Sequence, residues 1–323
     1  MRLLVTGANG FIGHHLCHRL LSDGYEVVAL TRSEKPGLLG TTINDPRLKL
    51  QIGDITDRNF VRELFKTRKI DAVFHLAVQR FYPAETSSAQ VSLQDTNAYK
   101  TNFEGTLNLI SAAVQAGVSF WIQSSAMMIF DVENSSNLPA KETDPPAPVE
   151  PNGMSVLLAE EVCRYYGRSH DLNYMILRYP GVYGRGKDRG IIAKLLHHCM
   201  AQSSEQRTVP IDRTSDFLFV HDAVNANLLA FQKMKTESES MPSSTDEGIY
   251  NRVFHIGSGE ETSVAEAARI IQELCGFRKN IIEQASGKPR RFFFDISRAR
   301  EQLGYQPHSL REGLTAYIKS MTK

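Results

Sequence analysis

Short runs of β-branched residues and leucine alternate along the chain with longer stretches whose apolar positions recur at helical spacing. The runs "RLLVTG", "EVVALT", "LKLQIGD", "AVFHLA", "FWIQSSA" and "NYMILRYP" predict strands. Between them the pattern predicts helices over 12–23, 58–66, 101–116 and 155–170. Strand–helix alternation at this spacing predicts an α/β fold: a doubly wound parallel sheet covered on both faces. Such a sheet binds its ligand outside the carboxyl ends of its strands. Two stretches, "DVENSSNLPAKETDPPAPVEPNG" and "KTESESMPSSTDEG", are rich in Pro, Ser and charge and predict loops, the second on the surface. Beyond Gly181 the pattern loses regularity, with one more strand–helix pair at "VFHIGSGEETSVAEAARIIQEL". No internal repeat is visible.

Composition narrows the class. A chain of 323 residues can bury a large core, as one large domain or two lobes sharing a cleft. Its apolar and charged fractions, 41% and 23%, are those of a globular protein. A formal net charge of +1 gives no reason to expect nucleic acid or an anionic membrane as partner. No apolar run is long enough to span a bilayer, and "RLLVTGANG" after Met1 lacks the plan of a signal peptide. The cysteines, Cys17, Cys163, Cys199 and Cys275, are far apart and make no metal-type spacing. They predict a reduced, cytoplasmic protein. His14, His15 and His18 cluster around Cys17, but no carboxylate is near, so solvated or packed helix residues are expected and no metal site.

The first candidate chemistry is "VTGANGFIGHHL". Gly7 permits a tight turn, Gly10 lets the backbone approach a diphosphate, and Gly13 lets helix and strand pack closely. Asn9, Phe11 and Ile12 complete the loop and open the helix, whose N-terminus offers N–H groups and a positive dipole end. A strand before and an amphipathic helix after supply the context for dinucleotide binding. Where the second strand ends, a carboxylate would hold a free ribose 2′-hydroxyl; here stand Thr31, Arg32, Ser33 and Lys35. A cation beside a hydroxyl suits a 2′-phosphate, which favours NADP, with NAD as the alternative.

These residues belong to a longer series of blocks: "TGANGFIG", "GDITD", "VFHLA", "TNFEGTLNLI", "LRYPGVYGRG", "DFLFVHDAV", "FHIGSGEETSVAEAA" and "DISRAREQLGYQP". In this order the chain resembles an extended short-chain dehydrogenase/reductase of the NAD(P)-dependent epimerase/dehydratase family, nearly end to end. That family includes sugar-nucleotide epimerases and dehydratases. The resemblance implies a Rossmann-type sheet with a smaller C-terminal substrate lobe. It places the dinucleotide-binding domain at 1–180 with 217–256 returning to it, and the substrate lobe at 181–216 and 257–323. It implies cofactor contacts at Asp54 and Ile55 beside the adenine, at Leu76, Ala77 and Asn102, and at Tyr179 and Pro180 flanking the nicotinamide.

The resemblance also implies a relay in which a helical Tyr moves the proton. A Lys one turn later lowers its pKa, and a Ser or Thr after a strand orients the substrate oxygen. Against the family pattern Y-G-x-S-K-L-A-A-E, this chain reads N-G-M-S-V-L-L-A-E. Asn152 stands at the Tyr position and Val156 at the Lys position. "SSAMMIFD" puts Ala126 at the hydroxyl position, or Ser125 if the alignment slides by one. Four residues after Tyr165 and Tyr166 stand Ser169 and His170, and the Tyr183–Lys187 pair lies in a glycine-rich stretch without helical spacing. Gly181 and Ser215 replace residues that often hold a substrate diphosphate, with Arg213 available as a substitute.

Other groups are candidates for the work. Gln79, Arg80, Tyr82 and Glu85 follow the fourth strand. There Tyr82 can replace the phenol with Arg80 lowering its pKa, or the four order a surface loop. Met127 and Met128 suit an apolar ligand face or core filling. Tyr183 is a further substrate candidate, and Arg290 and Arg291 match a position used for substrate phosphate. His75 reads as a satisfied core histidine, and Asp216 and Asp222 as capping or pairing residues. Two functions remain open. One is an enzyme of altered chemistry acting on a small metabolite, by non-redox isomerisation, elimination or cyclisation or by hydride transfer with a relocated acid. The other is a non-catalytic NADP-binding sensor or regulatory subunit. The apolar face at 156–162 suits a homodimer through a four-helix bundle, and core packing equally.

Overall fold

A computed structural model describes residues 1–35, 37–79, 97–201, 207–240, 252–276 and 281–321. Its strands are β1 Arg2–Thr6, β2 Glu26–Thr31, β3 Leu48–Ile52, β4 Ala72–His75, β5 Phe120–Ala126, β6 Asn173–Tyr179, β7 Gly181–Tyr183, β8 Arg207–Pro210, β9 Thr214–Ser215, β10 Phe217–Phe219, β11 Arg252–His255, β12 Thr262–Ser263 and β13 Ile281–Gln284. Its α-helices are α1 Phe11–Ser22, α2 Arg58–Thr67, α3 Gly105–Gln115, α4 Pro151–His170, α5 Ile191–Met200, α6 Val220–Ser240, α7 Val264–Cys275, α8 Ser297–Leu303 and α9 Leu310–Met321.

Two compact units divide the chain. The first comprises Met1–Phe130, Pro146–Arg178 and Asn227–Val253; the second comprises Asp131–Pro145, Tyr179–Ala226 and Phe254–Lys323.

The first unit holds the main sheet, a doubly wound Rossmann-type sheet in the order β11-β6-β5-β4-β1-β2-β3. The pairings β1–β2, β1–β4, β2–β3 and β4–β5 are parallel. Strand residues point alternately to two buried faces. On one face Leu4, Val28, Val73, Trp121 and Ile176 pack with Val61 and Leu64 of α2, Leu109 and Ile110 of α3 and Val162 of α4. On the other, Phe74 and Phe120 meet Phe231 of α6 edge-on, with ring centroids 5.5 and 6.0 Å apart. Apolar residues on both faces explain why these strands are near-continuous apolar runs in the sequence.

Two boundaries differ from the sequence reading. Helix α4 begins at Pro151, ahead of the predicted residue 155, because proline at N1 is preorganised for the first turn. The stretch 235–240, predicted as loop, continues α6. Thr236 and Ser238 are exposed and Lys235 and Glu237 half-buried, so polar residues here continue a helix rather than break it. A π-helical turn, Lys100–Glu104, leads into α3.

The second unit gathers short strands and helices. β7 pairs β10 and β8 pairs β13 in parallel, and β9 pairs β12 antiparallel. The segment 131–145 joins this unit through an Ala140–Phe294 bridge, with Ala140 N–H donating to the Phe293 carbonyl at 2.9 Å. Buried Asp216 ties three segments together. It accepts from Ser258 N and Oγ, both at 2.7 Å, and from Phe294 N at 3.3 Å. Burial pushes its carboxyl pKa up despite these bonds.

Candidate active site

The β1–α1 loop is built on backbone contact. Gly7 has φ +65°, and a Cβ on it would lie 2.9 Å from the Leu76 carbonyl and the Ala77 nitrogen. A Cβ on Gly13 would overlap the Gly7 carbonyl, so α1 can seat this close to β1 only with glycine there. Gly10 is exposed, and its N–H donates to the Gly7 carbonyl at 2.8 Å. The first turn of α1, with Phe11 and Ile12, has no side-chain cap and no acidic residue. A bare backbone loop and an uncapped helix start fit the diphosphate of a dinucleotide. Gly7, Gly10 and Gly13 with α1's first turn would hold it.

Asn9 does different work. Its side-chain amide donates to the Lys35 carbonyl at 3.1 Å and accepts from Leu39 N–H at 3.2 Å. It therefore ties the phosphate loop to the loop after β2. Thr31 Oγ1 accepts from Ser33 N–H, and Arg32 reaches the Gln79 side chain only at 3.5 Å. The last residue of β2 is Thr31 and the next is Arg32; the first carboxylate beyond them is the exposed Glu34. Asp54 accepts from both the backbone N–H and the hydroxyl of Thr56 at 2.9 Å, and Ile55 is buried against Gly105.

A buried polar chain runs from β1 towards α4. Thr6 Oγ1 accepts from Leu76 and Ala77 N–H, so its own proton goes to His75 Nδ1, 2.6 Å away. The other ring nitrogen of His75 then donates to Thr106 Oγ1 at 2.9 Å, and Thr106 donates to the Asn102 carbonyl. Asn102 accepts from Gln79 N–H at 2.7 Å with its side-chain oxygen and donates to the Gln79 carbonyl and to Ser155 Oγ. Ser155 in turn donates to the Asn152 carbonyl. His75 is fully enclosed, and burial depresses its pKa to about 3, so it is neutral and structural. Periodicity places His75 inside the core but does not reveal this chain, whose members run from Thr6 to Ser155 in sequence and meet only in the fold.

Helix α4 starts against the turn after β5. A Cβ on Gly153 would fall on the Met128 carbonyl, so this glycine sets the seat of the helix. Asn152 and Val156, one turn apart, are 4% and 7% exposed. Ala126, Met127 and Met128 are half-buried at the β5 end. Ser125 is buried and donates to Glu160 Oε1 at 2.5 Å. Glu160 is fully buried and accepts two bonds from Arg178, at 2.7 and 2.8 Å, and one from Arg164 at 2.8 Å. Burial alone would raise its pKa; the bonds and charges of Arg178, Arg164 and Ser125 outweigh that and lower it. Arg80, Tyr82 and Glu85 lie outside the described residues.

In the second unit, Tyr179 and Pro180 are buried at the end of β6. Tyr183 is 4% exposed, and its hydroxyl donates to the Leu310 carbonyl. Burial pushes that phenol far up, so the group belongs to packing, not to proton transfer. Lys187 donates to the Val182 carbonyl. Arg291 grips Glu261 with two bonds, at 2.6 and 2.7 Å. Arg290 contacts Glu133 at 3.2 Å. Asp222 pairs with His308 at 2.6 Å. Among the described residues no group of His, Cys, Asp and Glu could hold a metal, and no helix is long and apolar enough to cross a membrane.

A UDP-glucose 4-epimerase from Lacticaseibacillus casei is 27% identical over 335 residues, covering 95% of this chain and 92% of that protein. Among solved structures, a UDP-glucose 4-epimerase from Thermotoga maritima with UDP-glucose superposes with a TM-score of 0.81 at 28% identity, over 100% of both chains. A UDP-glucuronic acid 4-epimerase from Bacillus cereus, in complex with UDP-glucuronic acid and NAD, superposes with a TM-score of 0.79 at 26% identity, over 99% of this chain and 100% of that one. The profile of the NAD dependent epimerase/dehydratase family matches residues 3–257. The chain belongs to that family.

Proposed function

We propose that this protein holds a nicotinamide dinucleotide on the β1–α1 loop and acts on a nucleotide-linked sugar or similar small metabolite, with α4 serving position rather than proton transfer. The observation that carries the reading is the pair Asn152 and Val156 at the start of α4, where the family pattern has Tyr and Lys. A carboxamide has no proton to exchange near neutral pH, and valine carries no charge to lower a neighbour's pKa. A positioned acid or base is worth about 10²–10⁴ in rate. Ala126 supplies no hydroxyl either, and the Ser125 hydroxyl is spent on Glu160.

The chain's own groups then hold and orient. The first unit supplies the dinucleotide site, with Asp54, Ile55, Leu76, Ala77 and Asn102 around it, and the second the site for the ligand's anion. When bound, the dinucleotide supplies a hydride acceptor or donor, or acts as a structural ligand. Chemistry that needs no acid at α4 is non-redox isomerisation, elimination or cyclisation. Hydride transfer needs a relocated acid, and Tyr82 with Arg80 is the candidate pair. The UDP-sugar ligands of the relatives support a nucleotide-linked sugar as the ligand class. The B. cereus protein holds NAD; the preference for NADP over NAD rests on Thr31 and Arg32. A second reading, a dinucleotide-binding sensor, draws support from Leu107, Met154 and Tyr165 on α3 and α4. They are 38%, 39% and 52% exposed, whereas Val156, Ala159 and Val162 of the face expected to pair in a four-helix bundle are 7%, 2% and 7% exposed and pack inward.

The test is paired. Calorimetry of the purified protein with NADP and NAD should show tight binding of at least one. Incubation with UDP-glucose and UDP-glucuronic acid should leave C4 unchanged by NMR. Epimers formed at about 1 s⁻¹ or faster, the ordinary range for enzymes, would sink the reading of α4. Tyr82→Phe decides whether any redox turnover that is found uses the relocated phenol.

A further inference from the structure

Within the second unit, Arg213 and Arg290 form a bridged pair on parallel backbone stretches. Thr214 N–H donates to the Arg290 carbonyl at 2.8 Å, and Arg290 N–H donates to the Asp212 carbonyl at 3.0 Å. Both guanidinium groups reach one carboxylate. Arg290 Nη1 lies 3.2 Å from Glu133 Oε1, and Arg213 Nη2 lies 3.4 Å from Glu133 Oε2. Glu133 is presented by a turn in which Asp131 Oδ1 accepts from Glu133 N–H at 3.2 Å and Asn134 N–H at 3.1 Å.

The fit of Glu133 is loose in charge and in donors. Two cations face one anion. Arg213 Nε donates to the Lys288 carbonyl at 3.2 Å, while Arg290 Nε is buried and finds no acceptor among the described residues. The adjacent Arg291 shows the closed alternative. It meets Glu261 fork to fork, and Glu261 also accepts from the Thr214 hydroxyl at 2.7 Å. The Glu133 side chain is 48% exposed and makes one long contact with each arginine, a weakly held arrangement. A phosphate group brings more oxygens and more charge than a carboxylate and matches the guanidinium fork better.

We propose that Glu133 is an internal counter-anion occupying the Arg213–Arg290 clamp, which a ligand's phosphate groups must displace, so that Glu133 sets anion affinity and disfavours ligands carrying only a carboxylate. This rests on the nucleotide-linked ligand class proposed above. Empty of ligand, the clamp is partly neutralised by Glu133. With ligand, the carboxylate swings to solvent and the phosphate oxygens take its donors.

The test is calorimetry on the full chain with inorganic pyrophosphate, UDP and uridine at constant ionic strength. Glu133→Gln should tighten pyrophosphate and UDP roughly three- to tenfold, the size of two weak exposed ion pairs, and leave uridine unchanged. Glu133→Asp, which keeps the charge on a shorter arm, should fall between. The gain should vanish in Glu133→Gln combined with Arg290→Gln. Unchanged or weaker pyrophosphate binding in Glu133→Gln would overturn the proposal, as would a gain that persists without Arg290 or appears for UDP alone. C4 epimerisation by the wild-type protein would sink the reading of α4 yet leave this affinity difference standing, so the two failures are distinguishable.

Discussion

The starts of α1 and α4 are seated by the same device and equipped for different tasks. Each helix approaches a backbone carbonyl so closely that only glycine fits: Gly13 against Gly7 and Gly153 against Met128. At α1, the groups that would meet a diphosphate are main-chain N–H groups, which any sequence of the right shape supplies. At α4, on the reading proposed above, the family's chemistry depends on two side chains whose positions are taken here by Asn152 and Val156. Packing and catalysis are thus separable constraints. On that reading α4 keeps its glycine seat, its buried Ser155 and its buried Glu160 without the reactive pair.

The strongest loss should come where α4 is anchored, at Glu160. Glu160→Gln leaves buried Arg178 without its charged partner, and removing one member of a buried ion pair costs about 3–5 kcal/mol. Chemical denaturation should show that loss. A change below 1 kcal/mol would mean that α4 is not anchored through Glu160.

Alanine at the two glycines comes next. Each added Cβ meets rigid backbone, which places the cost near the upper end of overpacking, about 3 kcal/mol. The two variants should then diverge. Gly13→Ala should abolish dinucleotide binding in calorimetry, and Gly153→Ala, in protein that remains folded, should bind it as the wild type does. Equal losses of binding would erase the distinction between the two helix starts.

The smallest effect probes the polar chain that links them. His75 is neutral in the fold with its pKa depressed to about 3, against 6.5 for the free side chain. The unfolded state therefore takes up a proton first as pH falls. The stabilising contribution is complete above pH 6.5 and declines as pH drops towards 3, with about 2 kcal/mol lost by pH 5. Glu160, whose pKa is lowered, adds its own loss only at more acidic pH. His75→Gln should flatten the profile between pH 6.5 and pH 5 in thermal melts; an unaltered profile would show that His75 is not held neutral.

Much of the fold was legible because strands buried on both faces carry near-continuous apolar runs, as in "LLV" of β1 and "VVAL" of β2. The glycine loop was legible because its spacing encodes backbone geometry directly. What escaped had no local signature. Strands β9 and β12 are two residues each and carry no period. The continuation of α6 through 235–240 is polar and resembles a loop. The first turn of α4 lies in a Pro-rich stretch, so its start was placed late. Asn9 could be assigned to the loop but not to its bonds with Lys35 and Leu39. Glu133, in the segment predicted as loop, becomes notable only where Arg213 and Arg290 converge on it.

A scaffold that binds a dinucleotide while α4 transfers no proton should show a distinct optical signature. UDP-glucose is added to the dinucleotide-loaded protein in a stopped-flow cell, and the near-ultraviolet absorbance of reduced nicotinamide is followed. The dinucleotide site should be saturated, with no transient reduction that responds to substitution at Asn152 or Val156. A rapid reduction with a neutral-pH titration, abolished by changing either residue, would contradict it.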